Sequence, residues 1–147
     1  MPSILILNGP NLNLLGTREP EIYGAQTLAD VEEDARIYAT SRGVTLTCAQ
    51  DNSEGALVSH LHAARGSQDG VIFNAGAYTH TSIALRDAIS GIALPVIELH
   101  LSNVHARESF RHHSMIAPVC TGVIAGFGAA GYRLAIDAML GVLERQA

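Results

Sequence analysis

Short uninterrupted apolar runs alternate along this chain with stretches in which apolar residues recur at helical spacing. Ser3 to Leu7 (SILIL), Val44 to Ala49, Gly70 to Asn74 (GVIFN), Leu94 to Leu99 (LPVIEL) and Val119 to Ala125 read as strands. Runs this short and this apolar suit strands that are buried on both faces. Between the first two, Thr27 followed by Asp30 makes a capping-box-like start. The acidic Asp30, Glu32 and Glu33 suit the positive end of a helix dipole, and Gly43 ends that helix. Ser53 caps a second helix over Glu54 to Arg65, closed by Gly66. The segment AGAYTHTS leads into a third helix through about Ser90, and Gly128 to Arg145 is the closing one. Apolar strands separated by helices require an α/β fold, a parallel sheet with helices on both faces in three layers. Right-handed crossovers then give a flavodoxin-like doubly wound five-stranded sheet of order 2-1-3-4-5.

One stretch breaks the alternation. Asn8 to Gly24 (NGPNLNLLGTREPEIYG) has too much Gly, Pro and Asn for a helix, and loops this long in a compact domain are lids, binding loops or disordered segments. We read it as carrying an active-site lid at about residues 17–25. In a doubly wound sheet, ligands sit beyond the carboxyl ends of the strands, at the switch point between strands 1 and 3. That edge receives Asn8 and Asn11 from strand 1 and Asn74 through His80 from strand 3. Strand 4 adds Glu98, His100, Ser102 and Asn103.

Composition narrows what such an edge can do. The 147 residues fit one domain, and 48% hydrophobic against 16% charged residues describes a folded chain. A net charge of −5 with scattered Arg opposes nucleic-acid binding. The basic residues are all Arg. With no Lys, a protein Schiff base and a Walker A lysine are excluded. Cys48 and Cys120 fall inside apolar strand-like runs, where free Cys behaves as a small buried hydrophobe, and no CxxC spacing or disulfide framework is present. The start MPSILILNGP lacks a basic n-region and its apolar run is only strand-long. It reads as neither signal peptide nor membrane span, so a cytoplasmic location and no membrane partner are expected.

The candidate chemistry lies in the loop and at the end of strand 4. A phenol with its reference pKa of about 10 is only ~0.1% ionised at pH 7. Tyr23 therefore needs help to act as a base, and the Arg18 guanidinium in the same loop would favour its phenolate. In an arbitrary loop, Tyr23 would simply anchor the segment and Arg18 would be solvated. Glu98 and His100 leave the same face of strand 4, and a carboxylate beside an imidazole holds its tautomer and favours proton donation near neutrality. Such a pair is also common as a structural element. Asn11 and Asn74 carry amides suited to orienting a substrate, a water or an oxyanion, though Asn is equally an ordinary turn residue.

Two patterns mislead. Gly126, Gly128 and Gly131 spell G-F-G-A-A-G between a strand and a helix, but no later strand follows to carry the acidic residue a dinucleotide site requires. Close helix-to-strand packing is the expectation there. His60 and His62 point about 200° apart on a helix. His105, His112 and His113 lack the paired spacing of a zinc site. No metal is expected.

The motifs N-G-P-N-L-N-L-L-G (Asn8 to Gly16), R-E-P-E-I-Y-G (Arg18 to Gly24), F-N-A-G-A-Y-T-H-T-S (Phe73 to Ser82) and E-L-H-L-S-N-V-H-A-R-E-S-F-R-H-H-S (Glu98 to Ser114) resemble those of the type II 3-dehydroquinate dehydratases. The resemblance covers the whole chain in length and motif order. It implies a hydro-lyase that converts 3-dehydroquinate to 3-dehydroshikimate by anti elimination through an enolate, without a Schiff base, cofactor or metal. That reaction is shared by aromatic amino acid biosynthesis through the shikimate pathway and by quinate catabolism. By position, Tyr23 would be the base that removes the C2 proton, with Arg18 favouring its phenolate. Asn11 would hold a water against the enolate oxygen, and His100, oriented by Glu98, would protonate the departing C1 hydroxyl. Leu101 and Ser102 would take the substrate carboxylate, and Asn74, His80 and Arg111 the ring hydroxyls. Asp87 would reach a neighbouring subunit's site in trimers grouped into a homododecamer. Two other readings use the same sheet. A flavodoxin-like binding module for a flavin or phosphorylated small ligand would use Asn8 to Gly16 as its cradle, with only Thr17 as a nearby hydroxyl. A receiver-type signalling domain would need acidic residues after strand 1 and a lysine after strand 5, and neither is present.

Overall fold

Alternate residues of each central strand feed two different cores. The computed structural model describes residues 1–17, 21 and 25–147. The residues of the expected lid at 18–20 and 22–24, with Arg18 and Tyr23 among them, lie outside these. Five strands, β1 (Ser3–Asn8), β2 (Thr45–Gln50), β3 (Gly70–Asn74), β4 (Val96–His100) and β5 (Gly122–Ala125), form one sheet of order β2-β1-β3-β4-β5. All pairings are parallel, with Asn8 opposite Asn74 and Ile97 opposite Gly122. The doubly wound order expected from the alternation is the order observed.

Among the described residues, four α-helices cover the sheet: α1 (Leu28–Ser41), α2 (Glu54–Ala64), α3 (Ile83–Ile92) and α4 (Ala130–Gln146). On one face, Ile4, Ile6, Ile72, Ile97 and Leu99 pack against Val31, Ala35 and Ala39 of α1 and Tyr132, Ile136 and Met139 of α4. On the other, Leu5, Leu7, Val71, Phe73 and Val96 meet Leu57 and Leu61 of α2 and Leu85 and Ile89 of α3. The period of two divides each strand between these layers, and each fully buried large aliphatic side chain contributes about 1.5–3 kcal/mol.

The helix starts follow their caps. Thr27 accepts from the Asp30 amide at 3.2 Å while the Asp30 carboxylate accepts from the Thr27 amide at 3.1 Å, a reciprocal capping box. Ser53 accepts from the Ala56 amide at 3.2 Å and Ser82 from the Leu85 amide at 2.9 Å. Several boundaries differ from the pattern in the sequence, three of them for a clear local reason. Pro95 has no N–H for the ladder, so β4 begins at Val96 and reaches His100. Ala117–Val119 is a 3-10 turn containing Pro118 and β5 starts only at Gly122, so Cys120 precedes the strand instead of lying in it. Gly126 and Gly128 take positive φ, which delays α4 to Ala130. The third glycine of that run, Gly131, lets the helix settle on the sheet: a Cβ there would lie 2.9 Å from Leu99 Cδ1.

Candidate active site

The carboxyl ends of β1 and β3 are tied together before either strand turns away. The Gly9 amide donates to the Asn74 carbonyl at 2.7 Å. A Cβ on Gly9 would stand 2.7 Å from the Ala75 carbonyl oxygen, so only glycine fits this backbone crossing. Beyond it Asn11 adopts left-handed geometry (φ 70), which Asn tolerates better than most residues. Asn52 keeps it there, accepting from the Asn11 amide at 3.0 Å and from Gln50 Nε2 at 3.1 Å. The Tyr78 hydroxyl donates to the Asn52 carbonyl at 2.8 Å and completes the brace.

A single cleft opens over these ends. It is lined by Asn11, Asn74, His80, His100, Leu101, Ser102 and Arg111, together with apolar surface from Leu12, Leu15 and Val104. Seven of the expected site residues are thus brought together. Two glycine amides fix the turn after β4: Gly126 donates to the His100 carbonyl at 3.3 Å and Gly128 to the Leu101 carbonyl at 2.9 Å. The G-F-G run serves the cleft from behind.

Glu98 and His100 form the polar floor. They are 2% and 6% exposed, and His100 Nε2 lies 2.6 Å from Glu98 Oε2. An ionised carboxylate can only accept, so Nε2 carries the proton and Nδ1 is the nitrogen free for a ligand. The other carboxylate oxygen accepts from the Ser114 hydroxyl at 2.8 Å. The His80 ring stacks over that of His100 at 6.4 Å between centroids, with 14° between planes. His80 Nδ1 lies 2.8 Å from the His113 carbonyl, so Nδ1 is the donor and Nε2 is left as an acceptor. Arg107 and Arg111 give this wall its positive charge. Arg107 reaches Ser102 Oγ at 3.4 Å, and Arg111 pairs with Glu108 at 3.0 Å. Glu108's own backbone amide, and then Arg111, hold its carboxyl below the usual range. A cleft lined by a buried imidazole and two guanidinium groups can exchange a proton with a ligand while holding an anionic group on it.

The whole-chain comparison decides the family. Residues 2–140 match the family model described as Dehydroquinase class II. The chain belongs to the class II dehydroquinase family. Similar relatives include a 3-dehydroquinate dehydratase of Jannaschia sp. (strain CCS1), 66% identical, with 97% of this chain and 96% of that protein covered. A catabolic 3-dehydroquinase of Emericella nidulans is 58% identical over 92% of this chain and 88% of its own. The type II dehydroquinase structure from Butyrivibrio crossotus superposes with a TM-score of 0.92 at 44% identity, covering 94% of this chain and 97% of that one.

Within this dehydroquinase fold, Asp87, expected to reach a neighbouring subunit's site, and Asn8, expected at the ligand edge, both lie outside the cleft. Asp87 is exposed on α3 and borders a groove with Val58, His62 and Arg65, outside the cleft of its own chain. Asn8, expected at the ligand edge, is fully buried and turned inward, its Oδ1 accepting from the Tyr132 hydroxyl at 2.5 Å. Burial pushes the Tyr132 phenol well above its ordinary range, so it stays a neutral donor. Asn8 stands opposite Asn74 in the register of β1 and β3, and period two turns it to the α4 side along with Ile4 and Ile6. Sequence reasoning gave no role to Arg107, Ser114, Asn52 or Tyr132. The first two stand inside the Glu98 to Ser114 motif, which was a signal. Asn52 and Tyr132 act through contacts 41 and 124 residues away along the chain, which no local pattern exposes.

Proposed function

We propose that this chain dehydrates 3-dehydroquinate to 3-dehydroshikimate by anti elimination through an enolate, with no Schiff base, cofactor or metal. The observation that carries the reading is the buried Glu98–His100 pair, 2.6 Å apart, beneath a cleft walled by Asn74, Ser102 and Arg111. Tyr23, ionised with the help of Arg18, removes the C2 proton, and charge moves onto the carbonyl oxygen as an enolate. A water held by Asn11 hydrogen-bonds that oxygen. The enolate expels the C1 hydroxyl as His100, protonated on the nitrogen facing the cleft, delivers a proton to it. One C–H and one C–O bond break, a C–C double bond forms, and water leaves. The Tyr23 proton returns to His100 through solvent and resets the site. Glu98 stabilises the imidazolium form by its charge.

Leu101 and Ser102 receive the substrate carboxylate, next to the positive charge of Arg107. Asn74, His80 and Arg111 hold ring hydroxyls. Asp87, pointing away from its own cleft, serves a neighbouring subunit's site, in trimers grouped into a dodecamer. A single domain and a cytoplasmic location belong to the same reading; among the described residues, no helix is long and apolar enough to cross a membrane. The flavin or phosphate-binding alternative is weakened by the loop itself. The amides of Gly9, Asn11, Leu12, Leu14 and Leu15 already have protein acceptors, so few remain for a phosphate.

Steady-state kinetics on two variants tests these roles. Tyr23→Phe removes the ionisable proton, and kcat should fall roughly 10²- to 10⁴-fold, the usual worth of general base catalysis. His100→Ala should also lower kcat while a ring carboxylate analogue still binds. Near-normal turnover by Tyr23→Phe would remove the phenol as base, and loss of analogue binding by His100→Ala would make that imidazole a binding group.

A further inference from the structure

The Ser114 hydroxyl has more partners than a turn residue requires. Its oxygen accepts from the Ala117 amide at 2.9 Å and the Ile116 amide at 3.3 Å. Both lone pairs are thereby used, so the hydroxyl proton has one direction left, toward Glu98 Oε1 at 2.8 Å. The second Glu98 oxygen holds His100 Nε2 at 2.6 Å. The 3-10 turn at Ala117–Val119 thus fixes the Ser114 rotor, the rotor fixes the carboxylate plane, and the carboxylate fixes the imidazole. Glu98 is 2% exposed, so water cannot readily replace a lost donor, and a buried carboxylate short of donors is costly.

We propose that Ser114 is a positioning residue for the reaction, acting through Glu98 to aim His100 at the leaving hydroxyl. The inference rests on the reading of His100 as the proton donor. Ser114 itself is not among the residues lining the cleft. Its hydroxyl holds the carboxylate in plane, so that the imidazole presents Nδ1 to the cleft. The contribution belongs to the transition state, where the imidazole gives up its proton, and is absent from ground-state binding.

Kinetics of Ser114→Ala, Ser114→Thr and Ser114→Asp, with Ser114→Ala repeated in a His100→Ala background, tests this. Ser114→Ala should lower kcat and kcat/KM together by roughly ten- to a hundredfold, the loss of one hydrogen bond to a charged group, with KM little changed. Ser114→Thr restores a hydroxyl and should restore turnover. Ser114→Asp keeps an acceptor for the two turn amides but puts a carboxylate where the hydroxyl proton lay. It should fold and be at least as impaired as Ser114→Ala. In the His100→Ala background the Ser114→Ala change should cost less than about twofold, because residues acting as one unit are not additive. Wild-type kcat for Ser114→Asp, or an undiminished Ser114→Ala loss when His100 is already absent, would show that the turn alone matters and overturn the proposal. A His100→Ala enzyme with unimpaired kcat would instead overturn the donor role of His100, and the positioning role with it.

Discussion

The buried polar side chains of this protein divide into those gathered at the cleft and those that hold the backbone beneath it. His100 is buried yet lines the cleft, with Glu98 behind it, whereas Asn8 is sealed under the cleft with Tyr132 as donor. Asn8 Nδ2 already lacks a partner among the described residues. Tyr132→Phe would strand Oδ1 as well, and the variant should lose about 1–3 kcal/mol of stability, the cost of an unsatisfied buried group, read from its urea midpoint. The two thiols are pushed up from 9.0 to about 12, first by burial, with Glu32 adding to the effect at Cys48 and Glu98 at Cys120. Between those values the unfolded chain has lost thiol protons that the folded chain keeps. Their contribution to stability is therefore full below pH 9 and lost as pH rises toward about 12. Urea midpoints from about pH 8 to about pH 11 should fall with pH, and fall less in Cys48→Ala/Cys120→Ala. An equal slope in both proteins would locate the alkaline loss elsewhere.

At the scale of elements, what could be read in advance was whatever depends on neighbours in sequence. The capping box at Thr27, the cap at Ser53, the succession of five apolar strands and the period-two pair Glu98–His100 are all local and were legible in the pattern, although β4 and β5 begin later than their apolar runs. What was not legible depends on contacts across the fold. The inward turn of Asn8 follows from its partner on α4, and the hold on Asn11 follows from Asn52 at the end of β2. Cys120 looked like a strand residue because the apolar run continues through it, but Pro118 and the Ser114 hydroxyl fold that run into a 3-10 turn. The N-G-P and N-A-G segments also make sense only as a pair, since the backbones leaving the parallel strands β1 and β3 meet where Gly9 lies against Ala75. Gly9→Ala should be destabilised by several kcal/mol, because a backbone carbonyl cannot yield as a side chain would. Thermal unfolding of that variant checks the point, and a wild-type midpoint would show that the crossing relaxes.

For the whole molecule, a parallel sheet sandwiched between two helical layers needs both of its faces for stability and leaves only its carboxyl edge for chemistry. The cleft sits at that edge, where β1, β3 and β4 deliver Asn11, Asn74 and His100 from three separate parts of the chain. The absence of Lys bears on the chemistry open to this edge: Arg and His side chains can polarise and orient a ligand, but no lysine amine is there to form an imine. The decisive measurement is the ultraviolet absorbance of the conjugated enone formed from 3-dehydroquinate, by protein exposed to borohydride with substrate and by untreated protein. Equal rates of formation are expected from both. No absorbance from either, or activity abolished by the borohydride treatment, would contradict the account.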